Sequence, residues 1–141
     1  MSNETYAKAW CATAVKQGVA LGVLAGDAFA ATLAAASLAI PADATLAERE
    51  VNERLRAWLA GPGAMLATDH VELRRWLVDL KLVERDGYGR AYKRAAPPPA
   101  FVDAVTAMAA IDAVAVADDA RASHATARAE RRARHEAANV R

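Results

Sequence analysis

Cysteine, bulky side chains and net charge are all scarce in this chain. The single cysteine, Cys11, excludes an internal disulfide framework and suits a reducing compartment, so a cytoplasmic location is expected. Eight of the 141 residues are aromatic: three Trp, three Tyr and two Phe. The chain is 55% hydrophobic, but alanine supplies much of that share. Each helix therefore buries modest area, and self-association is the expected source of further stability. A formal net charge of +1 argues against a bulk polyelectrolyte binder, so any basic face must be local. The opening MSNETYAKAW lacks the basic-then-apolar pattern of a signal peptide. At this length one domain with one core, residues 1–141, is expected.

Catalytic and metal-binding patterns are missing as well. His70, His124 and His135 include no pair at three- or four-residue ligand spacing, and only one cysteine is present, so no metal site is expected. No glycine-rich phosphate loop follows a strand, and no Ser/His/Asp or paired-carboxylate pattern stands out. The chain is read as non-enzymatic and without a cofactor. Cys11, beside Trp10, reads as a small buried apolar residue rather than a reactive thiol.

What is present centres on residues 69–94, DHVELRRWLVDLKLVERDGYGRAYKR. Asp69 with Glu72 three residues on makes a capping-box start. Leu73, Trp76, Leu77 and Leu80 then form one apolar helix face, with Val71, Arg74, Arg75, Val78 and Lys81 on the outer side. Residues 82–85 and 90–94 read as two strands, and the Asp86-Gly87-Tyr88-Gly89 link supplies two glycines for a tight turn. A helix followed at once by a small hairpin is the third helix and wing of a winged helix-turn-helix. Over residues 71–94 there are seven Lys/Arg against four Asp/Glu, so the unit is locally basic.

These residues carry a resemblance. Leu73-Arg74-Arg75, Leu77-Val78-Asp79, Leu82-Val83, Arg85, Gly87 and Tyr92 resemble the pattern LRRxLVDxxLLxRxxDGxxYxR of the domain of unknown function (DUF) family 2087, with residues 50–55 resembling its upstream helix. The likeness covers about residues 45–94. It implies a small bacterial helical domain with a hairpin, associated with ArsR-type winged-helix regulators. It brings no catalytic residues with it.

The flanks read as helices. In residues 3–25, Tyr6, Trp10, Ala14, Gln17 and Leu21 repeat at helical spacing, and Gly18, Gly22 and Gly26 offer a small-residue face for close helix packing. Between residues 17 and 42 the only charge is Asp27, which raises a membrane reading. An acid in mid-span costs about 2.5–3.5 kcal/mol on insertion scales. Two buried helices broken near Gly26-Asp27 are the preferred reading, with Asp27 capping the second, residues 28–40, before Pro41. Thr45-Leu46-Ala47-Glu48 reads as a capping box for a helix that presents Val51, Leu55, Trp58 and Leu59 inward and stops at Gly61-Pro62-Gly63. After Pro97-Pro98-Pro99, residues 100–141 form one long helix or two. Their narrow stripe of Phe101, Val105, Met108, Ile111 and Ala115 would pair with the chain's own first helix or with a partner's. From residue 121 onward there are six Arg against two Glu.

The expected fold is mainly α. A winged helix-turn-helix-like core with a small β-hairpin (residues 45–94) is flanked by N-terminal helices (residues 1–42) and a C-terminal helix (residues 100–141). The expected function is DNA-binding transcription regulation on double-stranded DNA, as a homodimer through the terminal helices and without a membrane. Candidate DNA contacts are Arg74, Lys81, Arg85, Arg90, Lys93 and Arg94. Arg75 lies three residues after Glu72 and four before Asp79, so helix pairing is preferred for it. Tyr92 reads as core and Tyr88 as an exposed turn tip. Asp69 and Glu72 would repel phosphate at the helix start. They favour the rival reading, a non-catalytic protein-interaction module of the same fold.

Overall fold

The computed structural model describes residues 3–140. Helix α1 (Asn3–Ala14) forms because Tyr6, Trp10 and Ala14 share a face, and all three are buried. It ends at Ala14 instead of running on to residue 25. Gly18 and Gly26 take φ of 64° and 56°, which the interior of a right-handed helix does not contain. Between them the chain is drawn across the molecule. Val19 donates its N–H to the Met65 carbonyl (2.9 Å) and accepts the N–H of Ala67 (2.8 Å), forming a parallel bridge with Leu66. The glycine stripe is not a packing face, because a Cβ at residue 18, 22 or 26 would meet no atom within 4 Å. Leu21 is buried as its spacing predicts, but in a short 3-10 turn (Leu21–Val23), and Gln17 is exposed.

Helix α2 (Gly26–Ser37) starts earlier than expected, and Asp27 lies in its first turn. The N-cap is Ala25, so Asp27 does not cap the helix. Residues 31–37 are all buried, including the Thr32 hydroxyl, which has no hydrogen-bond partner among the described residues. Among the described residues no single helix is long and apolar enough to cross a membrane. Only the bent pair Pro99–Ala109 and Ala113–Asn139 passes on length and composition.

Residues 45–48 do not form a capping box. Leu46–Ala47 is a short strand, β1, whose residues pair antiparallel with Tyr92 and Ala91. Helix α3 (Glu48–Ala60) therefore starts after the strand. Ala47 stands at its N-cap with no side-chain acceptor to offer, and only the reverse half of a box exists, Ala47 N–H to Glu50 Oε1 at 3.3 Å. Val51, Leu55 and Trp58 point inward as expected, with Leu59 half-buried. Gly61-Pro62-Gly63 ends the helix, and Gly63 lies against the Trp58 ring so closely that a Cβ there would sit 2.3 Å from Cζ3.

Helix α4 (His70–Asp79) opens at Asp69, whose carboxylate accepts the Glu72 N–H at 2.8 Å. It closes in a Schellman arrangement. The N–H of Leu82 reaches the Leu77 carbonyl (3.0 Å), the N–H of Lys81 reaches that of Val78 (3.1 Å), and Leu82 and Leu77 are both buried. Lys81 occupies the left-handed position of that motif, with φ of 66°. Strands β2 (Val83–Arg85) and β3 (Ala91–Arg94) follow, and the sheet has three strands in the order β1-β3-β2, not two. In the connecting turn only Gly89 has positive φ (67°); Gly87 does not need it.

The C-terminal segment is two helices, α5 (Val102–Ala109) and α6 (Ala113–Asn139), bent by 73°, with Asp112 capping the second by accepting the Ala115 N–H at 3.1 Å. Phe101, Ala104, Ala107 and Met108 are buried where α5 packs on α1 and α2, so the apolar stripe pairs with the chain's own N-terminal helices. Its last member, Ala115, is exposed. The Trp10 indole N–H donates to the Ala113 carbonyl at 3.0 Å and its ring tilts against Trp58, joining α1, α3 and α6. The fold is mainly α with a small antiparallel sheet, as expected.

Candidate nucleic-acid interface

The outer face of α4 and the β2–β3 hairpin flank a shallow groove of about 270 Å³, lined by Val71, Arg74, Arg75, Val78, Asp79 and Arg85. The expected contacts divide sharply once their partners are known. Arg74 is not an outer residue, since its side chain is only 17% exposed. Its Nη1 donates to Asn52 Oδ1 (2.6 Å) and pairs with Glu48 Oε1 (3.1 Å), and its guanidinium lies 5.5 Å from the centroid of the Tyr92 ring. The Tyr92 hydroxyl in turn donates to Glu48 Oε1 at 3.5 Å. This cluster joins α3, α4 and β3, and it removes Arg74 from the set of free cations. Tyr92 is core, as the sequence suggested.

Arg94 is also committed to the fold. Its Nε donates to the Ile40 carbonyl at 2.8 Å and its Nη2 to that of Leu38 at 3.5 Å, so it satisfies carbonyls left open where α2 ends. Lys93 faces Glu84 directly across the β2–β3 ladder and pairs with it at 3.4 Å. Both side chains are more than half exposed, so the pair is weak and Lys93 stays accessible. Arg90 is exposed at the turn, stacked 5.9 Å from the Tyr88 ring centroid, and Tyr88 is itself 85% exposed. Arg85 and Lys81 are exposed, and neither has an ion-pair partner among the described residues.

Arg75 reverses the sequence reading. No ion pair to Glu72 or Asp79 forms, and the side chain is exposed beside Asp79 in the groove. An i,i+4 pair on a solvated helix face is worth only a few tenths of a kcal/mol, too little to hold the long side chain down. The clue available in the sequence was the adjacent Arg74. Neighbouring positions on a helix point about 100° apart, so with Arg74 turned against Tyr92 the next side chain, Arg75, points to solvent.

The turn is rigidly built. Asp86 Oδ1 accepts the N–H groups of Arg90 (2.8 Å) and Tyr88 (3.1 Å). Backbone N–H groups, first that of Arg90 and then those of Ala91, Tyr88 and Gly89, hold the Asp86 carboxyl below the usual carboxylate range. The opposite flank of α4 is different in character. A concavity of about 570 Å³ there is lined by Asp69, Val71, Glu72, Arg75, Trp76, Asp79 and Leu80, and it shares Val71, Arg75 and Asp79 with the groove. Among the described residues no group of three His, Cys, Asp or Glu side chains is placed to hold a metal ion.

Helix, strand, two helices and a two-stranded hairpin, with the first strand paired to the last, define a winged-helix-like unit running from α2 to β3. Residues 27–94 match the model of the family described as "Uncharacterized protein conserved in bacteria (DUF2087)", so the similarity to that family covers this winged-helix-like segment. The match reaches further upstream than the sequence likeness did: it takes in α2, the unit's first helix. No curated protein and no solved structure matches the chain.

Proposed function

We propose that the protein is a non-catalytic, cytoplasmic DNA-binding regulator that lays α4 and the hairpin on double-stranded DNA. The observation that carries this reading is the set of cations left free along one groove and its hairpin: Arg75, Lys81, Arg85 and Arg90, with Lys93 only weakly paired. Unpaired, exposed guanidinium groups beside a protruding hairpin suit phosphate tracking, and Arg75 on the helix suits a base edge. The link with regulators implied by the family resemblance points the same way. The homodimer expected through the terminal helices would use α6, because α1 is covered by α2, α5 and the start of α6.

A second reading, a protein-interaction module, is favoured by the other flank of α4. Asp69, Glu72 and Asp79 line it with half-buried Trp76 and exposed Val71, three acids against the one base Arg75, a surface that disfavours phosphate. The two readings separate in one experiment. Fluorescence anisotropy against a mixed-sequence duplex is measured across a salt series, for the parent and for Arg75→Ala/Arg85→Ala/Arg90→Ala. Binding that weakens steeply with salt supports the DNA reading, provided the variant's slope is shallower by about 0.9 for each phosphate it no longer neutralises. No binding at low salt, or equal binding by the variant, overturns it in favour of the interaction module.

A further inference from the structure

A second cationic site lies at the root of α6, built by different residues. A concavity of about 330 Å³ is lined by Lys16 and Gln17 after α1, Ala64 and Met65 after α3, and Arg121, His124 and Arg128 of α6. It has four basic side chains from two separate chain segments, and among the described residues no carboxylate lines it. Arg121, His124 and Arg128, at spacings of three and four, share one helix face. None of Lys16, Arg121, His124 and Arg128 pairs with an acid among the described residues.

Arg121 gives the site a fixed floor. Its Nε donates to the Ala14 carbonyl (2.9 Å), Nη1 to that of Gly61 (3.0 Å), and Nη2 to that of Pro62 (2.8 Å) and to Met65 Sδ (3.5 Å). A guanidinium has five N–H donors, so one on Nη1 is left without an acceptor among the described residues. The acceptors are neutral, so no full negative charge cancels that of Arg121. Lys16, His124 and Arg128 stand around this pinned group with their donors unused.

We propose that this pocket is an anion site that takes a phosphate group, held by the free Arg121 N–H, Lys16, Arg128 and the His124 ring. Phosphate is the class that fits. Several fixed and mobile N–H donors converge without a competing carboxylate, and charge-assisted bonds to a phosphate are the strongest such a donor set makes. The site shares no residue with the α4–hairpin groove, so it stands whether or not that groove binds DNA.

The test is a titration of the whole chain with inorganic phosphate, against chloride at matched ionic strength, followed by the NMR shifts of the three histidine rings. The expected result is a saturable shift at His124 that His70 does not share. In Lys16→Ala/Arg128→Ala the apparent affinity should fall about tenfold or more, and Arg128→Lys with Lys16 intact should recover most of it. Neither side chain is hydrogen-bonded or ion-paired to the rest of the fold among the described residues, so the folded histidine spectrum serves as its own control. An Arg85→Ala/Arg90→Ala variant should leave the His124 response unchanged. A parallel arm with a short DNA duplex identifies the source. A His124 response to duplex at far lower concentration than to free phosphate assigns a nucleic-acid backbone, and a response to phosphate alone assigns a small phosphorylated molecule. A His124 shift reproduced by chloride, or a double variant that responds like the parent, overturns the proposal.

Discussion

Lys81 holds a backbone conformation that a lysine does not favour. At φ of 66° it fills the left-handed position closing α4, where glycine is the usual occupant. A β-carbon there costs about 1–2 kcal/mol, partly offset by the lower chain entropy lysine brings to the unfolded state. Lys81→Gly should therefore raise stability, by roughly 0.5–1 kcal/mol. If the helix–hairpin junction lies on DNA, the same substitution should also weaken duplex binding and lower its salt slope. Thermal unfolding and anisotropy on the one variant decide the matter: a gain in Tm with unchanged binding would remove Lys81 from the interface. At this scale the sequence was informative about one local partner, wrong about the Arg75 pairing and the Asp27 and Thr45 caps, and silent about distant partners. The Asp69 cap is a contact over three residues, and it was read correctly. The partners of Arg74, Glu48 and Asn52, lie more than twenty residues away, and those of Arg121 more than fifty. No spacing rule reaches that far, so the two arginines most deeply engaged in the fold both looked like surface charge.

Elements were legible where hydrophobic period and stop signals agreed. Helices α3 and α4 and the hairpin are such cases. The failures lie where alanine and glycine thin the pattern. Residues 15–25 kept a helical spacing of apolar side chains, yet the positive φ of Gly18 and Gly26 and the bridge of Val19 to Leu66 broke the helix. The two-residue strand β1 was hidden inside an apparent capping box, because its partner β3 lies some forty-five residues further on. Gly61-Pro62-Gly63 was read correctly as a stop, but its second role was hidden: Gly63 lets the loop lie on Trp58, which in turn packs on Trp10. Gly63→Ala would force that ring aside and should cost about 1–3 kcal/mol, a fall in Tm of roughly 3–10 °C for a chain of this size. Gly22→Ala is the control, since its added carbon meets nothing within 4 Å. Equal melting of the two variants would show that the Trp58 contact yields freely.

On the scale of the whole molecule, α6 plays two different parts along its length. Its first turns belong to the fold. Ala113 accepts the Trp10 indole N–H, Ala117 is fully buried, and Arg121 ties together the ends of α1 and α3. Beyond Arg121 every described residue is exposed except Ala127, which is half-buried. A solvated helix held at one end contributes little to global stability, since most helical stability in proteins comes from a packed face. Deleting residues 124–141 should therefore leave Tm within about 2 °C of the parent, in keeping with surface changes of about half a kcal/mol. Deleting residues 110–141 removes the Trp10 acceptor, Ala117 and the Arg121 clamp together, and it leaves carbonyls at two helix ends without donors. That variant should lose more than about 10 °C or unfold without a cooperative transition, the sum of several buried losses of about 1–3 kcal/mol each. Circular dichroism melts of the two deletions compare the parts directly. Similar losses for both would mean that the exposed half of α6 is packed against something in solution, with a second copy of the chain the first occupant to look for by sedimentation. A stable shorter variant, which lacks His124 and Arg128, that no longer takes up phosphate by calorimetry would separate the anion site from the fold that supports it.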